Sequence, residues 1–437
     1  MNWQNSGRRF LFLKMVGKAA VLLFFGICFF TLLQKHPREI PTETEELLPI
    51  AKAFAAAGAL EIRSSKAEEI KGEEQFRLQE RQAERIEEIL SGLTLEEKVA
   101  QLFLVTPEAL TGTGPVTSAG EETKAALWEY PVGGLIYFPE NIVSSEQIKE
   151  MIQTQQNYSI ERIGLPLFIS IDEEGGSVAR IANDSPIAVR HFPDMAEIGA
   201  SKDALAQVGE LGDTIGGYLS ELGFNLDFAP VADVLTNPDN TLMKRRSFGE
   251  DASHVAELAA AAASHLKKQG VYGCLKHFPG HGATAEDSHK GFACTVKTLE
   301  ELKETELIPF QKGIDDGISF IMAGHISAPN VTGDDLPASL SEQMITGLLR
   351  EEMQFDGIVV TDAMNMGAVS NLYGSGEAAE RAVCAGVDMI LMPADFKEAY
   401  EGLLNAVAAG RLEESRIDAS VRRILAKKRN LPNLKGR

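Results

Sequence analysis

The fold is first indicated by residues 271–277, Val-Tyr-Gly-Cys-Leu-Lys-His. The first five residues of this stretch form a run of strand length, and Lys276 and His277 follow immediately. An amphipathic helix is predicted in front of it over Ala252–Gln269, and Gly270 stands where a glycine commonly ends a helix. Strands that lack polar alternation are typical of a parallel sheet covered on both faces. The stretch therefore indicates one helix–strand unit of an α/β protein.

The same unit recurs along the chain from about residue 86. Strands are predicted at Val99–Val105, Gly133–Phe138, Leu165–Asp172, Phe224–Val231, Val271–Leu275, Phe320–Ala323, Gly357–Thr361 and Val387–Met392. Helices are predicted between them, among others at Asp203–Leu222, Ala252–Gln269, Leu299–Gly317 and Ser341–Met353, with a closing helix at about residues 414–430. Eight β/α units predict a (β/α)8 TIM-type barrel, with a single catalytic domain over residues 86–437.

The first 85 residues follow a different pattern. Four basic residues precede an apolar run at residues 19–33, whose length suits the core of a signal peptide. We assign residues 1–34 to a signal peptide or membrane anchor, and cleavage stays open. The charge-rich residues 35–85 are predicted to be a stem or linker. Because a basic flank stays in the cytoplasm, the rest of the chain is expected to be extracytoplasmic, membrane-anchored or secreted, in a bacterium.

The composition excludes one class of partner. The net charge is −21, from 63 acidic and 42 basic residues, and nucleic-acid phosphates would repel such a chain. The four cysteines contain no C-x-x-C pair, so neither a zinc site nor a disulfide framework is suggested.

Polar side chains follow five of the predicted strands, at the end where the active site of such a barrel lies. Asp172 to Arg180 follow the third strand, Asp227, Asp233 and Arg246 lie in or after the fourth, Lys276 and His277 end the fifth, His325 follows the sixth and Asp362 the seventh. Scattered surface charge would not select strand ends so regularly. Each residue also has a structural alternative: Asp362 can cap a helix, and Arg180 and Arg246 can form surface ion pairs.

Three of the eight histidines fall between Lys276 and His289. His281 stands between two glycines and is expected to brace its loop. Asp287 and His289 are two residues apart, so they can form a local turn. Alternatively, the carboxylate of Asp287 can bond one imidazole nitrogen, fix the tautomer of His289 and raise the basicity of its other nitrogen.

In this order the residues resemble glycoside hydrolase family 3, and within it the bacterial β-N-acetylglucosaminidases of peptidoglycan turnover. The resemblance covers about residues 86–430. It rests on Leu93–Leu102, Gly133–Ile136, Asp172–Arg180, Arg246–Gly249, Lys276–Gly282, Asp287–His289 and Thr361–Met364. Any one motif is weak, whereas the ordered set is specific.

The resemblance implies a retaining exo-β-N-acetylglucosaminidase that releases N-acetylglucosamine from peptidoglycan fragments through a covalent glycosyl intermediate on Asp362. It implies that His289 is the general acid/base and Asp287 its partner. It also assigns sugar binding in the −1 site to Asp172, Arg180, Arg246, Lys276 and His277. No cofactor and no metal are expected. The expected partners are an N-acetylglucosaminide or muropeptide substrate and, through the N-terminal segment, a membrane; the chain is expected to be a monomer.

Three departures from the family pattern put the substrate in doubt: Glu173 replaces a usual glutamine, Ser177 an arginine and Ala283 an aspartate. A family 3 β-glucosidase or β-xylosidase, phosphate as the acceptor, and a non-catalytic membrane-tethered glycan-binding protein stay open as alternatives. A metal-dependent hydrolase with ligands among His277, His281, His289 and Asp362 is disfavoured, because Pro279 and Gly280 spoil the helical spacing of the first two histidines.

Overall fold

The computed structural model describes residues 76–284 and 293–431. Residues 76–83 are helical and belong to a first compact unit, and residues 84–431 form the described part of a second. Across these ranges no helix has both the length and the apolar character that crossing a membrane requires. The predicted membrane segment, the stem up to residue 75, and Asp287 and His289 lie outside the described residues.

Eight parallel strands form the centre of the second unit: β1 Phe103–Val105, β2 Gly134–Ile136, β3 Phe168–Ile171, β4 Leu226–Asp227, β5 Tyr272–Phe278, β6 Phe320–Ala323, β7 Ile358–Thr361 and β8 Ile390–Leu391. Their hydrogen-bonded order is β7-β6-β5-β4-β3-β2-β1-β8. A parallel bridge between Val360 and Met389 then joins β7 to the residues before β8 and closes the ring. The predicted (β/α)8 barrel is confirmed.

Helices precede, separate and follow these strands. The α-helices are residues 84–92, Leu95–Ala100, Pro107–Thr111, Glu121–Glu129, Ser145–Ile163, Met195–Gly199, Ala204–Leu222, Ala252–Lys268, Leu299–Glu304, Leu307–Asp315, Pro329–Thr332, Gly367–Ser370, Ser375–Ala385, Phe396–Ala408 and Glu414–Lys428. A π-helix covers Gln343–Glu352, and short 3-10 turns cover Pro139–Asn141, His281–Ala283 and Ala338–Leu340. Two small strand pairs, Glu173–Gly175 with Val178–Ala179 and Ala293–Cys294 with Ile326–Ser327, lie outside the barrel sheet.

The unit around β5 shows how the sequence builds the barrel. The Asp251 side chain accepts a hydrogen bond from His254 N at 2.8 Å and so caps the helix Ala252–Lys268. Gly270 follows with a φ of +87°, a left-handed conformation that glycine adopts without steric cost. The apolar face of the helix packs inward through Val255, Leu258, Ala259, Ala262 and Leu266.

Two predicted boundaries are wrong for identifiable reasons. The first strand was predicted from Val99, but Leu95–Ala100 is helical because Thr94 and Glu97 form a reciprocal capping box. The helix predicted over Leu299–Gly317 is interrupted at Thr305, where φ and ψ are −138° and −83°. Pro309 explains the interruption, since a proline ring clashes with the carbonyl group four residues earlier in a continuous helix.

The end of the barrel domain is fastened to its beginning. Strands β1 and β8 pair, with Phe103 opposite Ile390. Lys98 Nζ lies 2.8 Å from both Glu414 Oε1 and Asp418 Oδ1 on the last helix, Glu414–Lys428. These contacts join segments from opposite ends of the described chain.

The amino-terminal end of the barrel contains a buried lysine. Lys428 is 0% exposed, and its Nζ donates to Gln101 Oε1 at 2.8 Å. The Nζ atom lies 5.4 Å from the centre of the Phe168 ring, and burial holds the pKa of Lys428 well below its ordinary value.

Lys428→Met should therefore stabilise the protein in a pH-dependent way. The unfolded chain binds a proton at Lys428 with an ordinary pKa and the folded chain does not, so wild-type stability rises with pH between the two pKa values. Methionine binds no proton, and we expect a gain of about 1–2 kcal/mol near pH 6 that disappears toward pH 10. Thermal unfolding of both proteins across this range measures the difference. A difference independent of pH would contradict a lowered pKa.

Candidate active site

Lys276 and Arg246 share one buried carboxylate. Arg246 binds Glu174 through two hydrogen bonds, Nε to Oε2 at 2.8 Å and Nη2 to Oε1 at 2.6 Å. Lys276 Nζ lies 2.7 Å from Glu174 Oε1 and 2.8 Å from Asp172 Oδ1. The Glu174 and Lys276 side chains are 1% and 2% exposed, whereas Asp172 is 20% exposed. Asp172 is therefore the most exposed member of this group, ahead of Arg246 at 12%.

In this group, nearby opposite charges affect the pKa values of Glu174 and Lys276 more strongly than burial does. Burial alone would raise the pKa of Glu174, but Arg246 and Lys276 hold that pKa far below its ordinary value. Burial alone would lower the pKa of Lys276, but Asp172 and Glu174 raise it. Both side chains therefore stay charged at neutral pH, and Lys276 remains a donor fixed at the end of β5.

Glu174 is a site residue that the sequence prediction missed. It lies two residues beyond Asp172, and alternate residues of an extended chain face the same side. That spacing, together with two cations in need of a counter-charge, was the signal that could have identified it.

His277 is held by a second buried carboxylate. Its Nδ1 lies 2.7 Å from Asp233 Oδ2, and the Asp233 side chain is 0% exposed. The backbone N–H groups of His277 and His281 both donate to Asp233 Oδ1, at 3.1 Å and 2.6 Å. Burial by itself would raise the pKa of Asp233, but His277 and His281 lower it. Asp233 was noted at its strand end but was not assigned to the site.

Asp362 follows directly after β7 and is partly exposed. Its backbone N–H donates to Ala323 O at 2.8 Å, and Ala363 N donates to its Oδ1 at 2.8 Å. Burial would raise the pKa of Asp362, but the nearby histidines His277 and His325 lower it. Among the described residues no cation forms an ion pair with this carboxylate, and the direct contact they give it is the hydrogen bond from Ala363 N.

His325, which the sequence left between a structural and a functional role, lies behind Asp362. Its Nε2 is 3.0 Å from Ala363 O, and its Nδ1 is 2.8 Å from Ser339 Oγ. The imidazole thus contacts the backbone of the turn that carries Asp362. It supports the position of the carboxylate from the protein side.

Arg180 is placed near the same mouth by the turn after β3. Its backbone N–H donates to Asp172 O at 3.3 Å, and its guanidinium carbon lies 5.8 Å from the centre of the Phe138 ring. Its Nε is buried and makes no hydrogen bond within the described part of the chain. A buried N–H group without a partner is costly, and a bound ligand would satisfy it.

The loop after β5 packs closely against the loop after β4. A Cβ on Gly282 would lie 1.9 Å from Val234 O, so only glycine fits there. Asn240 Nδ2 donates to His281 O at 2.8 Å, and His281 Nδ1 lies 2.8 Å from Thr284 Oγ1. His281 is buried, its burial lowers its pKa, and it braces the loop as predicted.

Within residues 76–284 and 293–431, no three His, Cys, Asp or Glu side chains are arranged to hold a metal ion.

The described site thus combines two parts. The first is a fixed polar cradle formed by Asp172, Glu174, Arg246 and Lys276, and the second is the ionised carboxylate of Asp362. Asp172, Arg246, Lys276, His277 and Asp362, all predicted from sequence, meet at the carboxyl end of the barrel. Donors and acceptors in such a cradle suit the hydroxyl groups of a sugar. Residues 94–426 match the family described as "Glycosyl hydrolase family 3 N terminal domain". The chain belongs to glycosyl hydrolase family 3.

Named relatives of this family 3 chain are hexosaminidases. It is 34% identical over 340 residues to "Beta-hexosaminidase A" of Pseudoalteromonas piscicida, covering 72% of this chain and 56% of that protein. It is 32% identical over 311 residues to a "Beta-hexosaminidase" of Nitrosomonas eutropha, covering 69% of this chain and 86% of that protein. The solved structure of a family 3 β-N-acetylglucosaminidase from Paenibacillus sp. is 39% identical with a TM-score of 0.73, covering 77% of this chain and 62% of that one. The chain therefore spans less than two thirds of the length of the first and third of these relatives.

Glu173, the departure beside Asp172, points away from the ionised cradle. Its carboxylate accepts hydrogen bonds from Tyr218 Oη at 2.6 Å, Ile181 N at 2.8 Å and Ala182 N at 3.0 Å. Burial raises the pKa of Glu173, while these three donors oppose the rise. Glu173 therefore supports the turn after β3 and forms none of the ion pairs around Lys276.

Proposed function

We propose that this family 3 chain is a retaining exo-β-N-acetylglucosaminidase that releases N-acetylglucosamine from peptidoglycan fragments. The observation that carries the proposal is Asp362, a partly exposed carboxylate with a lowered pKa beside a cradle of buried charges. Ionisation at neutral pH is what a carboxylate nucleophile requires. The hexosaminidase names of the relatives support the choice of the N-acetylated sugar.

In the first step, an Asp362 oxygen attacks the anomeric carbon as the bond to the leaving oxygen breaks, and His289 gives that oxygen a proton. In the second step, a water molecule attacks the same carbon, Asp362 departs, and His289 takes the proton of the water. Asp287 would hold the imidazole of His289 in the required tautomer. Asp172 would accept hydrogen bonds from sugar hydroxyl groups, and Arg180, Arg246, Lys276 and His277 would complete the −1 site.

The full chain in detergent should hydrolyse 4-nitrophenyl N-acetyl-β-glucosaminide far faster than the matching glucoside. A proton NMR time course should detect the β-anomer of N-acetylglucosamine first, because two displacements at one carbon retain configuration. Preference for the glucoside would contradict the proposal and indicate a β-glucosidase. Early α-anomer would contradict retention, and turnover that requires phosphate would make phosphate the acceptor.

The natural substrate is proposed to be a muropeptide with a terminal N-acetylglucosamine. Incubation with defined muropeptides, followed by mass spectrometry, should show loss of that single sugar. Release of a disaccharide or a peptide would contradict exo-action on the glycan.

We also propose that the enzyme works outside the cytoplasm as a monomer, held at the membrane by residues 1–34 unless that segment is cleaved. Four basic residues before the apolar run at residues 19–33 support this orientation. Protease treatment of intact cells should digest the protein, and sedimentation of the detergent-solubilised chain should give the mass of one copy. Protection in intact cells would contradict the location.

A further inference from the structure

We propose that Asp233 is a positioning residue that fixes the tautomer and orientation of the His277 ring in the sugar site. The inference deepens the proposed function and rests on it. Among the described residues, the carboxylate of Asp233 bonds His277 and the backbone of His281, so its effect on the sugar site passes through the His277 ring.

The contacts of Asp233 require a carboxylate. Its two oxygens accept three hydrogen bonds, from His277 Nδ1, His277 N and His281 N, at 2.7, 3.1 and 2.6 Å. The side chain is 0% exposed, so no water replaces a lost contact. Asparagine offers only one acceptor atom, and its amide group would face a donor. Asparagine must therefore either break the bond to His277 Nδ1 or force the ring into the other tautomer, in which Nδ1 accepts from the amide.

The backbone of Asp233 is itself fixed between the loops that bound the site. Ser247 Oγ, next to Arg246, donates to Asp233 O at 2.7 Å. The preceding residue, Ala232, donates its N–H to Lys276 O at 2.7 Å. One short segment thus links the residues that carry Arg246, Lys276 and His277, and it gives the carboxylate of Asp233 a rigid base.

A hydrogen bond from Nδ1–H to Asp233 leaves Nε2 as the nitrogen of His277 that can meet a ligand. The same ring, whenever it carries a proton on both nitrogens, is close enough to Asp362 to lower the pKa of that carboxylate. Rotation of the ring, or transfer of its proton to Nε2, would change both the contact to the sugar and the field at Asp362. Asp233 prevents both changes.

The first test is a nitrogen NMR spectrum of the full chain labelled at histidine. The His277 resonances, assigned by their loss in His277→Gln, should show a hydrogen-bonded proton on Nδ1 at neutral pH. An unprotonated Nδ1 in the wild-type protein would overturn the inference, and this result does not depend on folding of any Asp233 variant or on activity.

The second test compares two buried aspartates of the β4 region. Asp233→Asn should abolish the Nδ1–H signal and lower kcat/KM for the aryl N-acetylglucosaminide by about 10²-fold, the scale expected from a misplaced site group. Asp227→Asn is the matched control, because Asp227 is also 0% exposed, but within the described part of the chain its carboxylate bonds the backbone N–H of Glu173, at 2.9 Å, and no imidazole. It should keep both signal and activity. Asp233→Asn with unchanged signal and kcat/KM would refute the inference, whereas an inactive wild-type enzyme would refute only the proposed function.

Discussion

Asp362→Asn should lower kcat for an aryl N-acetylglucosaminide by about 10⁴–10⁶-fold, the range expected when a nucleophile is removed. The amide oxygen can keep the hydrogen bond from Ala363 N, so the fold should be preserved. The lost property is the negative charge that attacks the anomeric carbon. Wild-type protein treated with a 2-fluoro sugar should carry the adduct on Asp362, and the variant should carry none.

A control and a rescue make this prediction specific. Asp356→Asn removes a carboxylate that is 92% exposed and should retain wild-type kcat. Azide should restore turnover of an activated substrate by Asp362→Gly and yield the α-glycosyl azide, because a small anion can attack from the face that the carboxylate has left. Full activity of Asp362→Asn, or a β-configured azide, would contradict the assigned mechanism.

The pH dependence should reflect the same residue. The pKa of Asp362 is lowered, so the nucleophile stays ionised as the pH falls and is lost only when the pH passes through that lowered value. The acidic limb of kcat/KM should therefore lie below the ordinary range of an aspartate. A limb above that range, unchanged by substitution of His289, would show that Asp362 does not have a lowered pKa in the working enzyme.

Glu174→Gln should be the most destabilising single change in the site. It removes the one carboxylate that both Arg246 and Lys276 contact and leaves two buried cations without it. Breaking a buried ion pair costs about 3–5 kcal/mol, so we expect a loss of that size at neutral pH. Because the pKa of Glu174 is lowered, its contribution is present above the ordinary pKa of a glutamate and disappears as the pH falls through the lowered value. The two proteins should therefore converge in stability in acid.

The neighbouring residue provides the control for this prediction. Glu173→Gln also removes a buried carboxylate, but one outside the cradle, and it introduces the side chain usual for the family. It should keep kcat/KM and cost less than about 1.5 kcal/mol, the scale of one or two ordinary hydrogen bonds. Urea unfolding measures the stability of both variants, and steady-state kinetics measures their kcat/KM. Equal stability and activity of the two variants would show that Glu174 does not organise the site.

The sequence allowed the barrel and the polar residues at the carboxyl ends of its strands to be predicted because both follow local rules. Apolar runs with polar ends locate strands, and strand ends locate the site, so Lys276 and Asp362 could be identified without coordinates. Glu174 and Asp233 could not be assigned in the same way. Their function depends on which cation or imidazole lies opposite, and that pairing arises only when separate strands meet.

Two local effects explain why predicted helix and strand boundaries were wrong. The capping box of Thr94 and Glu97 starts a helix inside an apolar stretch, and Pro309 divides a helix whose hydrophobic pattern continues across the break. Both effects are visible in the sequence once the capping and proline rules are applied residue by residue. The ion pairs that surround Lys276 have no comparable local signature.

The contact between the last described helix and the helix Leu95–Ala100 has a consequence for the order of events during synthesis. Strand β1 receives its second neighbour, β8, only after most of the domain has been made, and Lys98 meets Glu414 and Asp418 later still. The ring therefore cannot close before β8 has left the ribosome. Until then the partial sheet keeps two open edges, and the unpaired backbone groups of these edges can pair with another copy of the chain.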